Sequence, residues 1–251
     1  MMDHIRAIGF DLFNTLITVE PQTLQEAHSR LFSSLSESGF QIEEEAFRQA
    51  HRQAAMDHLA ECRKDGRETH NRFWISAALA DQGYQVSPED LRIADAVERY
   101  FSAFLEYCHL IPGTGYMLET VKKSYRLGLL TNFTHGPAAR NILDHLGITS
   151  FFGIILISGE LGYRKPHPSV FLKLIEEFGI ETEQILYVGD DPEPDIKGAR
   201  AVGIQPVWTT YVMDHQIPYA RGILTGVPEP PDPPVPRIST WQDLLSLLNT
   251  Y

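Results

Sequence analysis

The chain has little cysteine, no long apolar run and few basic residues. Its 251 residues include only Cys62 and Cys108, too few for a disulfide framework or a CxxC metal site. No apolar stretch approaches the roughly 18 residues that a membrane span needs, so no membrane partner is expected. The first ten residues lack the basic patch, apolar stretch and cleavage site of a secretion leader. A cytoplasmic location is therefore predicted.

Basic residues are outnumbered, 21 against 33 acidic ones, which gives a formal net charge of −12. A nucleic-acid partner is not expected, because binding to phosphate backbones requires a basic face. A small anionic substrate stays open, since it needs only a local positive pocket. The charge does not indicate an oligomeric state. With 43% hydrophobic and 22% charged residues, the composition is typical of a globular protein.

Short apolar strands and helices alternate along most of the chain. Strands are predicted at 5–10, 127–130, 154–157, 185–188 and 206–209, and helices at 115–123, 137–145, 170–178, 197–202 and 241–248. Such alternation predicts right-handed crossovers and a mostly parallel sheet. The Pro-rich segment 227–236 is predicted to be an extended surface loop.

Between positions 21 and 108 the apolar residues recur at helical spacing, with no convincing strand. Three or four helices in succession indicate a helical bundle. The predicted fold class is therefore α/β, a Rossmann-like parallel sheet core formed by 1–17 and 111–251, with an α-helical unit inserted at 18–110. His51 and His58, seven residues apart within that unit, are expected to face solvent.

Polar side chains follow four of the predicted strands. They are Asp11, then Thr131 and Asn132, then Lys165, and finally Asp190 and Asp195. Each group alone is typical of a turn or a helix cap. The carboxyl ends of parallel strands meet at one edge of a sheet, where open α/β folds bind ligands. All four groups in this order are hard to explain by chance.

These residue types suit phosphoryl chemistry. Two neighbouring carboxylates, Asp11 and Asp190, repel each other, and a hard cation such as Mg²⁺ relieves the repulsion. Lys165 adds a positive charge, and the Thr131 hydroxyl can donate to phosphate oxygens. A carboxylate in this setting can attack phosphorus and form an aspartyl-phosphate. The implied partner is a small molecule, a phosphate ester.

Four motifs together resemble those of the haloacid dehalogenase-like hydrolase superfamily. They are FDLFNT at 10–15, LTN at 130–132, GYRKPHP at 162–168, and VGD at 188–190 followed by DIKGA at 195–199. The resemblance implies Asp11 as nucleophile, Thr131 and Asn132 as ligands of the transferring group, and Lys165 as the residue that steadies both. It also implies a Mg²⁺ site.

The resemblance assigns the metal to Asp11, Asp190 and the backbone carbonyl of Phe13. Asp195, and with it Asp191, would lie in the outer metal shell or hold Lys165. The inserted helices would be a cap domain that closes over the site. Candidate substrate contacts on this cap are Arg67, Arg72 and Trp74.

One departure from the family pattern matters for activity. Phosphatases of the family carry a second Asp two positions after the nucleophile, where it serves as acid and base, and this chain has Phe13 there. Asn14 follows, where Gly is usual. His135 and His167 are candidate replacements for the missing proton carrier. The leading hypothesis is a Mg²⁺-dependent phosphatase that prefers substrates with good leaving groups.

Two alternatives remain. A metal-free 2-haloacid dehalogenase would tolerate Phe13, because halide needs no proton to depart, and members with that activity carry an aromatic residue at this position. They generally lack the acid at Asp190, and their second motif is typically Ser-Asn rather than Thr-Asn. The third hypothesis is a weakly active or non-catalytic protein that binds phosphate.

Overall fold

A six-stranded sheet forms the centre of the molecule. The computed structural model describes residues 2–219 and 229–249. The strands within these residues are β1 (Ala7–Phe10), β2 (Ile17–Val19), β3 (Cys108–Leu110), β4 (Arg126–Thr131), β5 (Ile154–Ile157), β6 (Ile185–Gly189), β7 (Gln205–Thr209) and β8 (Arg237–Ile238). Six of them form the central sheet, and β2 and β3 pair separately. The sheet has the order β5-β4-β1-β6-β7-β8, and every pairing is parallel. The predicted α/β class with a Rossmann-like parallel sheet is confirmed.

Helices cover both faces of this sheet and also form a separate layer. They are α1 (Thr23–Glu37), α2 (Glu44–Asp65), α3 (Asn71–Asp81), α4 (Leu91–Tyr107), α5 (Thr114–Val121), α6 (Gly136–His145), α7 (Ser158–Leu161), α8 (Pro168–Phe178), α9 (Gly198–Ala201), α10 (Tyr211–Asp214) and α11 (Trp241–Leu247). Helices α5, α6 and α11 bury their apolar side chains on one face, while α8 and α9 pack on the other. Burial of the sheet on both faces explains why its strands are continuous apolar runs.

The helices α1 to α4 form a unit between β2 and β3, which we call the helical insert (Thr23–Tyr107). Within it α1 packs along α4 and α2 packs along α3. Polar side chains start two of these helices: Glu43 accepts from the backbone of α2, and Asp90 accepts from that of α4. The assignment of the insert as a cap domain stays a prediction.

The two chain segments that connect the insert to the sheet pair with each other. Strands β2 and β3 are antiparallel, with Ile17 opposite Leu110 and Val19 opposite Cys108. The sequence pattern did not predict this ribbon, because strands of three residues are too short to show a period. The ribbon holds the entrance and exit of the insert side by side.

Smaller differences from the sequence prediction concern the end of the chain. A π-helix at Pro192–Lys197 precedes α9, where only a helix at 197–202 was expected. Strand β8 was also missed, because it has only two residues. Of the predicted loop 227–236, residues 229–236 contain no helix or strand, whereas 227 and 228 lie outside the described residues.

Within residues 2–219 and 229–249, no helix is both long enough and apolar enough to cross a bilayer.

Candidate active site

The candidate residues meet where the strand order reverses. The chain runs from β1 outward to β4 and β5, and then returns to the other side of β1 with β6. Phe10 lies opposite Val188, and the Asp11 amide donates to the Val188 carbonyl at 2.9 Å. The loops after β1 and β6 therefore start side by side. This is the position at which open α/β sheets leave a crevice for ligands.

Lys165 is the centre of the site and is 3% exposed. Its Nζ donates to Asp11 Oδ1 at 2.6 Å, to Asp195 Oδ1 at 2.6 Å and to the Tyr187 hydroxyl at 2.9 Å. An ammonium has three donors, so all of them are used. Burial opposes the charge of Lys165, but the two carboxylates together raise its pKa well above its ordinary value. The side chain is therefore a fixed positive charge.

Asp11 is buried beside that charge. Its Oδ1 accepts from Lys165, and its Oδ2 lies 3.3 Å from the donating hydroxyl of Thr15. Burial raises the pKa of Asp11 to about 6, with Lys165 lowering it and Asp195 raising it. These contacts fix the direction of the carboxylate while leaving it ionised at neutral pH.

Asp190 brings an additional negative charge to the same place. Burial, followed by repulsion from Asp11 and Asp195, raises the pKa of Asp190 well above its ordinary value. Carboxylate oxygens of these three residues lie within 4.8 Å of one another. Apart from a contact of 3.5 Å from the Thr15 hydroxyl, no described side chain donates a hydrogen bond to the Asp190 carboxylate. The cluster therefore has the charge and the free oxygens to hold a divalent cation.

Asp195 differs from the other two carboxylates because both of its oxygens are engaged. Oδ1 accepts from Lys165, and Oδ2 accepts from the Asp191 amide at 3.0 Å. The close approach depends on Gly189, where a Cβ would lie 2.4 Å from the Asp195 carboxyl. This geometry favours the second role considered for Asp195, that of holding Lys165.

Asn132 binds the backbone of the Lys165 loop rather than a side chain. Its Oδ1 accepts from the Lys165 amide at 2.8 Å, and its Nδ2 donates to the Lys165 carbonyl at 3.0 Å. This two-point contact ties the loop after β4 to the loop before α8. Asn132 thereby orients the residues around the site.

The hydroxyl of Thr131 is unsatisfied. Thr131 is 1% exposed, and its Oγ1 has no hydrogen-bond partner in the described parts of the chain. A buried polar atom without a partner destabilises a protein by about 1–3 kcal/mol. An orphaned donor at the carboxyl end of β4 suits an anionic ligand with acceptor oxygens.

Replacement of this hydroxyl is expected to separate stability from binding. The variant Thr131→Val keeps the volume and removes no hydrogen bond, so we expect the free energy of unfolding to stay equal or to rise. Affinity for inorganic phosphate, measured by calorimetry with Mg²⁺ present, is expected to fall about tenfold or more.

Thr114 offers a matched control for that variant. Its buried hydroxyl donates to the Leu16 carbonyl and accepts from Trp241. Thr114→Val should therefore lose stability by about 1–3 kcal/mol and leave phosphate binding unchanged. Equal destabilisation of the two variants, or unaltered phosphate binding by Thr131→Val, would contradict the assignment.

Phe13 belongs to an aromatic cluster that joins the sheet to the insert. Its ring stacks on Phe133 with centroids 5.1 Å apart. Phe133 in turn contacts Phe101 at 5.1 Å and Phe104 at 5.8 Å, both on α4. Asn14 follows with a φ of 57°, a left-handed conformation that Asn tolerates. The position that carries an acid in related phosphatases is therefore occupied by a half-buried ring stacked on Phe133.

The two histidines considered as proton carriers are engaged elsewhere. His135 contacts Glu98 through Nε2 at 2.8 Å and His70 through Nδ1 at 3.1 Å, both on the insert. Burial, followed by repulsion from His135, lowers the pKa of His70 to about 4. His167 Nδ1 lies 2.7 Å from the Ser169 hydroxyl at the start of α8. The contacts of His135 join the loop after β4 to the insert, and the contact of His167 lies within the first turn of α8.

The three predicted substrate contacts make side-chain interactions within the insert. Arg67 is largely exposed beside Asp65, and Arg72 pairs with Glu89 at 2.9 Å. Trp74 is buried and donates to the Thr69 hydroxyl at 3.1 Å. A role of these groups in substrate binding stays a prediction.

Sequence reasoning missed Thr15 and Tyr187 as individual site residues. The Tyr187 hydroxyl accepts from Lys165 and donates to the Leu130 carbonyl at 2.8 Å. A tyrosine inside a fully buried strand needs a hydrogen-bond partner, and this was the available signal. Thr15 lies four positions after Asp11, within the first motif.

The comparisons with known proteins agree with this geometry. A family model described as haloacid dehalogenase-like hydrolase matches residues 5–203. The chain belongs to the haloacid dehalogenase-like hydrolase family. The suspected resemblance is thereby confirmed, and the site lies within the matched range.

Several curated relatives of this family are phosphatases. The chain is 32% identical over 117 residues to a phosphoserine phosphatase of Thermus thermophilus, which covers 47% of either protein. It is 29% identical over 212 residues to a glyceraldehyde 3-phosphate phosphatase of Methanopyrus kandleri, with 81% of this chain and 83% of that protein covered. In the first of these comparisons the match spans about half the length of the relative.

A solved structure of the same fold is a 2-haloacid dehalogenase from Pseudomonas syringae pv. Tomato. It has a TM-score of 0.68 at 22% identity and covers 98% of both chains. At this identity the likeness shows the fold, and the choice between phosphatase and dehalogenase depends on the site residues.

Proposed function

We propose that the chain is a Mg²⁺-dependent phosphatase that acts on a small phosphorylated metabolite through Asp11. The observation that carries the proposal is the group of three carboxylates around the buried Lys165. A dehalogenase needs no acid at Asp190, whereas a phosphatase needs it to hold the cation. The named phosphatases among the relatives support the same choice.

The residues present fit a Mg²⁺ ion. Asp11 and Asp190 would hold it with their carboxylates, and Phe13 would contribute its backbone carbonyl. Asp195 would hold Lys165 instead, because both of its oxygens already accept hydrogen bonds. When bound, the cation supplies positive charge that stabilises the transferring phosphoryl group.

The residues of the chain account for the steps of the reaction. The Asp11 carboxylate attacks phosphorus, so that a bond between Asp11 and phosphorus forms while the bond to the leaving oxygen breaks. Lys165 and the Thr131 hydroxyl stabilise the charge on the phosphoryl oxygens. Water then attacks the phosphorus of the aspartyl-phosphate while the bond from phosphorus to Asp11 breaks, so that phosphate departs with the protons of the water and Asp11 is restored as a carboxylate.

Phe13 limits the range of phosphate esters that this reaction can hydrolyse. It cannot give a proton to the departing oxygen, a contribution worth about 10²–10⁴ in rate. We expect aryl and acyl phosphates, whose leaving groups depart as stable anions, to be hydrolysed faster than alkyl phosphates by about that factor. Phosphate release from a series of esters with graded leaving-group pKa measures the dependence. Equal turnover of aryl and alkyl esters would contradict the proposal.

Binding of the cation at Asp190 can be tested without an activity assay. The raised pKa of Asp190 means that the unfolded chain loses this proton near pH 3.8, while the folded protein holds it to a higher pH. Stability of the metal-free protein therefore falls as the pH rises above 3.8, because the folded state holds this proton more tightly than the unfolded chain does. Asp190→Asn should raise the melting temperature in EDTA by about 2 °C or more.

The same variant should no longer respond to Mg²⁺. The wild-type melting temperature is expected to rise with Mg²⁺ concentration, because the ion binds the folded state. The exposed Asp81 provides the control: Asp81→Asn should keep the response of the wild type. Loss of stability in Asp190→Asn without metal, or a preserved Mg²⁺ response, would refute the cation site.

A 2-haloacid dehalogenase is the second candidate, and Phe13 is the observation that favours it. Its stacked aromatic surroundings would suit a reaction that releases halide without a proton. Release of chloride from a 2-chloroacid in EDTA would favour this candidate over the phosphatase.

A further inference from the structure

One loop of the helical insert lies directly against the segment that precedes Lys165. The Glu68 amide donates to the Gly162 carbonyl at 3.0 Å, and the Arg164 amide donates to the Gly66 carbonyl at 2.9 Å. Gly66 has a φ of 73°, and a Cβ there would lie 2.6 Å from the His167 ring. The two segments therefore form a short antiparallel contact that leaves no space for a larger residue.

The Glu68 side chain completes this contact. It is 3% exposed, and its Oε1 accepts from Arg164 Nη1 at 3.1 Å and from the Thr69 amide at 2.9 Å. Its Oε2 accepts from the Ser158 hydroxyl. A buried carboxylate is tolerated only when it is paired and hydrogen-bonded in this way. Replacement of the carboxylate by an amide keeps one acceptor oxygen, so that Arg164 and Ser158 can no longer both donate to this side chain and Arg164 loses its ion pair.

The two partners of Glu68 belong to or contact the two loops that surround Asp11, the loop after β4 and the loop before α8. Arg164 is the residue before Lys165. Ser158 is fully buried, and its Oγ accepts from the Phe133 amide at 2.8 Å, in the loop that follows Thr131 and Asn132. Asn132 joins these two loops directly through its two hydrogen bonds to the Lys165 backbone. A single carboxylate of the insert thus contacts the supports of both loops.

We propose that Glu68 is a positioning residue that transmits docking of the insert to Lys165 and to the phosphate-binding loop after β4. This inference rests on the proposed function for its kinetic consequence, whereas the coupling itself is a property of the structure. The assembled geometry around Asp11 would then depend on contact with the insert.

The experiment compares Glu68→Gln, Arg164→Gln and the double variant. With an aryl phosphate and Mg²⁺, kcat is expected to fall about tenfold to a hundredfold in each single variant, because small displacements of reacting groups have effects of this size. KM should change less than about threefold, and the double variant should lose no more than the worse single one. Losses that multiply in the double variant would overturn the proposal.

Glu106 supplies the matched control. It pairs with Arg30 at 2.7 Å inside the insert and makes no contact of this kind with the sheet. Glu106→Gln should keep the kcat of the wild type. A kcat for Glu68→Gln equal to that of this control would refute the proposal.

Amide hydrogen exchange provides a readout that does not need activity. In Glu68→Gln, exchange is expected to accelerate in segments 132–135 and 163–167, while β6 keeps its protection. Acceleration in β6 as well would indicate general destabilisation and would overturn the positioning role. If the wild type hydrolysed no phosphate ester, the proposed function would fail, and this exchange pattern would still decide the coupling.

Discussion

Asp11→Asn is expected to abolish phosphate release, with a loss of roughly 10⁴-fold or more, because the amide cannot form the covalent intermediate. The fold should survive the change. Asn still offers Oδ1 to Lys165, and the substitution removes one of three crowded negative charges. Since burial raises the pKa of Asp11 to about 6, the metal-free variant should be at least as stable as the wild type at pH 7.

Steady-state phosphate release and a melting curve in EDTA measure these two effects. Asp57→Asn, at an exposed carboxylate on α2, serves as the control and should behave as the wild type in both. Release that persists in Asp11→Asn would disprove the nucleophile assignment, whatever the state of the metal.

Phe13→Asp is expected to have the opposite effect and to increase the hydrolysis of alkyl phosphates by about 10²–10⁴. The new carboxyl would supply the proton that the departing oxygen lacks. In kcat/KM, which reports the transfer to Asp11, aryl phosphates should gain little, because an aryloxide leaves without a proton. The dependence of the hydrolysis rate on the pKa of the leaving group should therefore become weaker in the variant.

This gain is expected despite a loss of stability. The Phe13 ring stacks on Phe133, and such aromatic contacts contribute about 0.5–1.5 kcal/mol beyond the burial of area. Phe13→Asn is the matched variant, since it loses the ring but cannot transfer a proton. An equal gain in both variants would show that the ring merely obstructs the site, and no gain in either would show that proton transfer is not limiting.

The parallel sheet and its polar strand ends could be read from the sequence because they depend on local order. Asp11 and Asp190 each follow a buried strand, and parallel strands bring such residues to one edge. The lengths of the individual helices and strands could be predicted less well from the sequence. The π-helix at 192–197 contains Asp195, whose contact with Lys165 joins residues 30 positions apart.

Partners that come from distant parts of the chain escaped prediction. Glu68 looked like one of many charged residues, yet it is buried against Arg164, 96 positions away. The expectation that His51 faces solvent was wrong: it is 5% exposed, and its Nε2 lies 2.9 Å from Asn71 Oδ1. A histidine on a polar stretch of helix gives no local signal of the neighbour that will cover it.

The aromatic contact between α4 and the loop after β4 has a thermal consequence. Separation of the two elements exposes the rings of Phe101, Phe104 and Phe133 to water, and exposure of apolar surface carries a positive change in heat capacity. The attraction between these rings therefore weakens on cooling. If substrate enters by this separation, a plot of the logarithm of its association rate against reciprocal temperature should be curved.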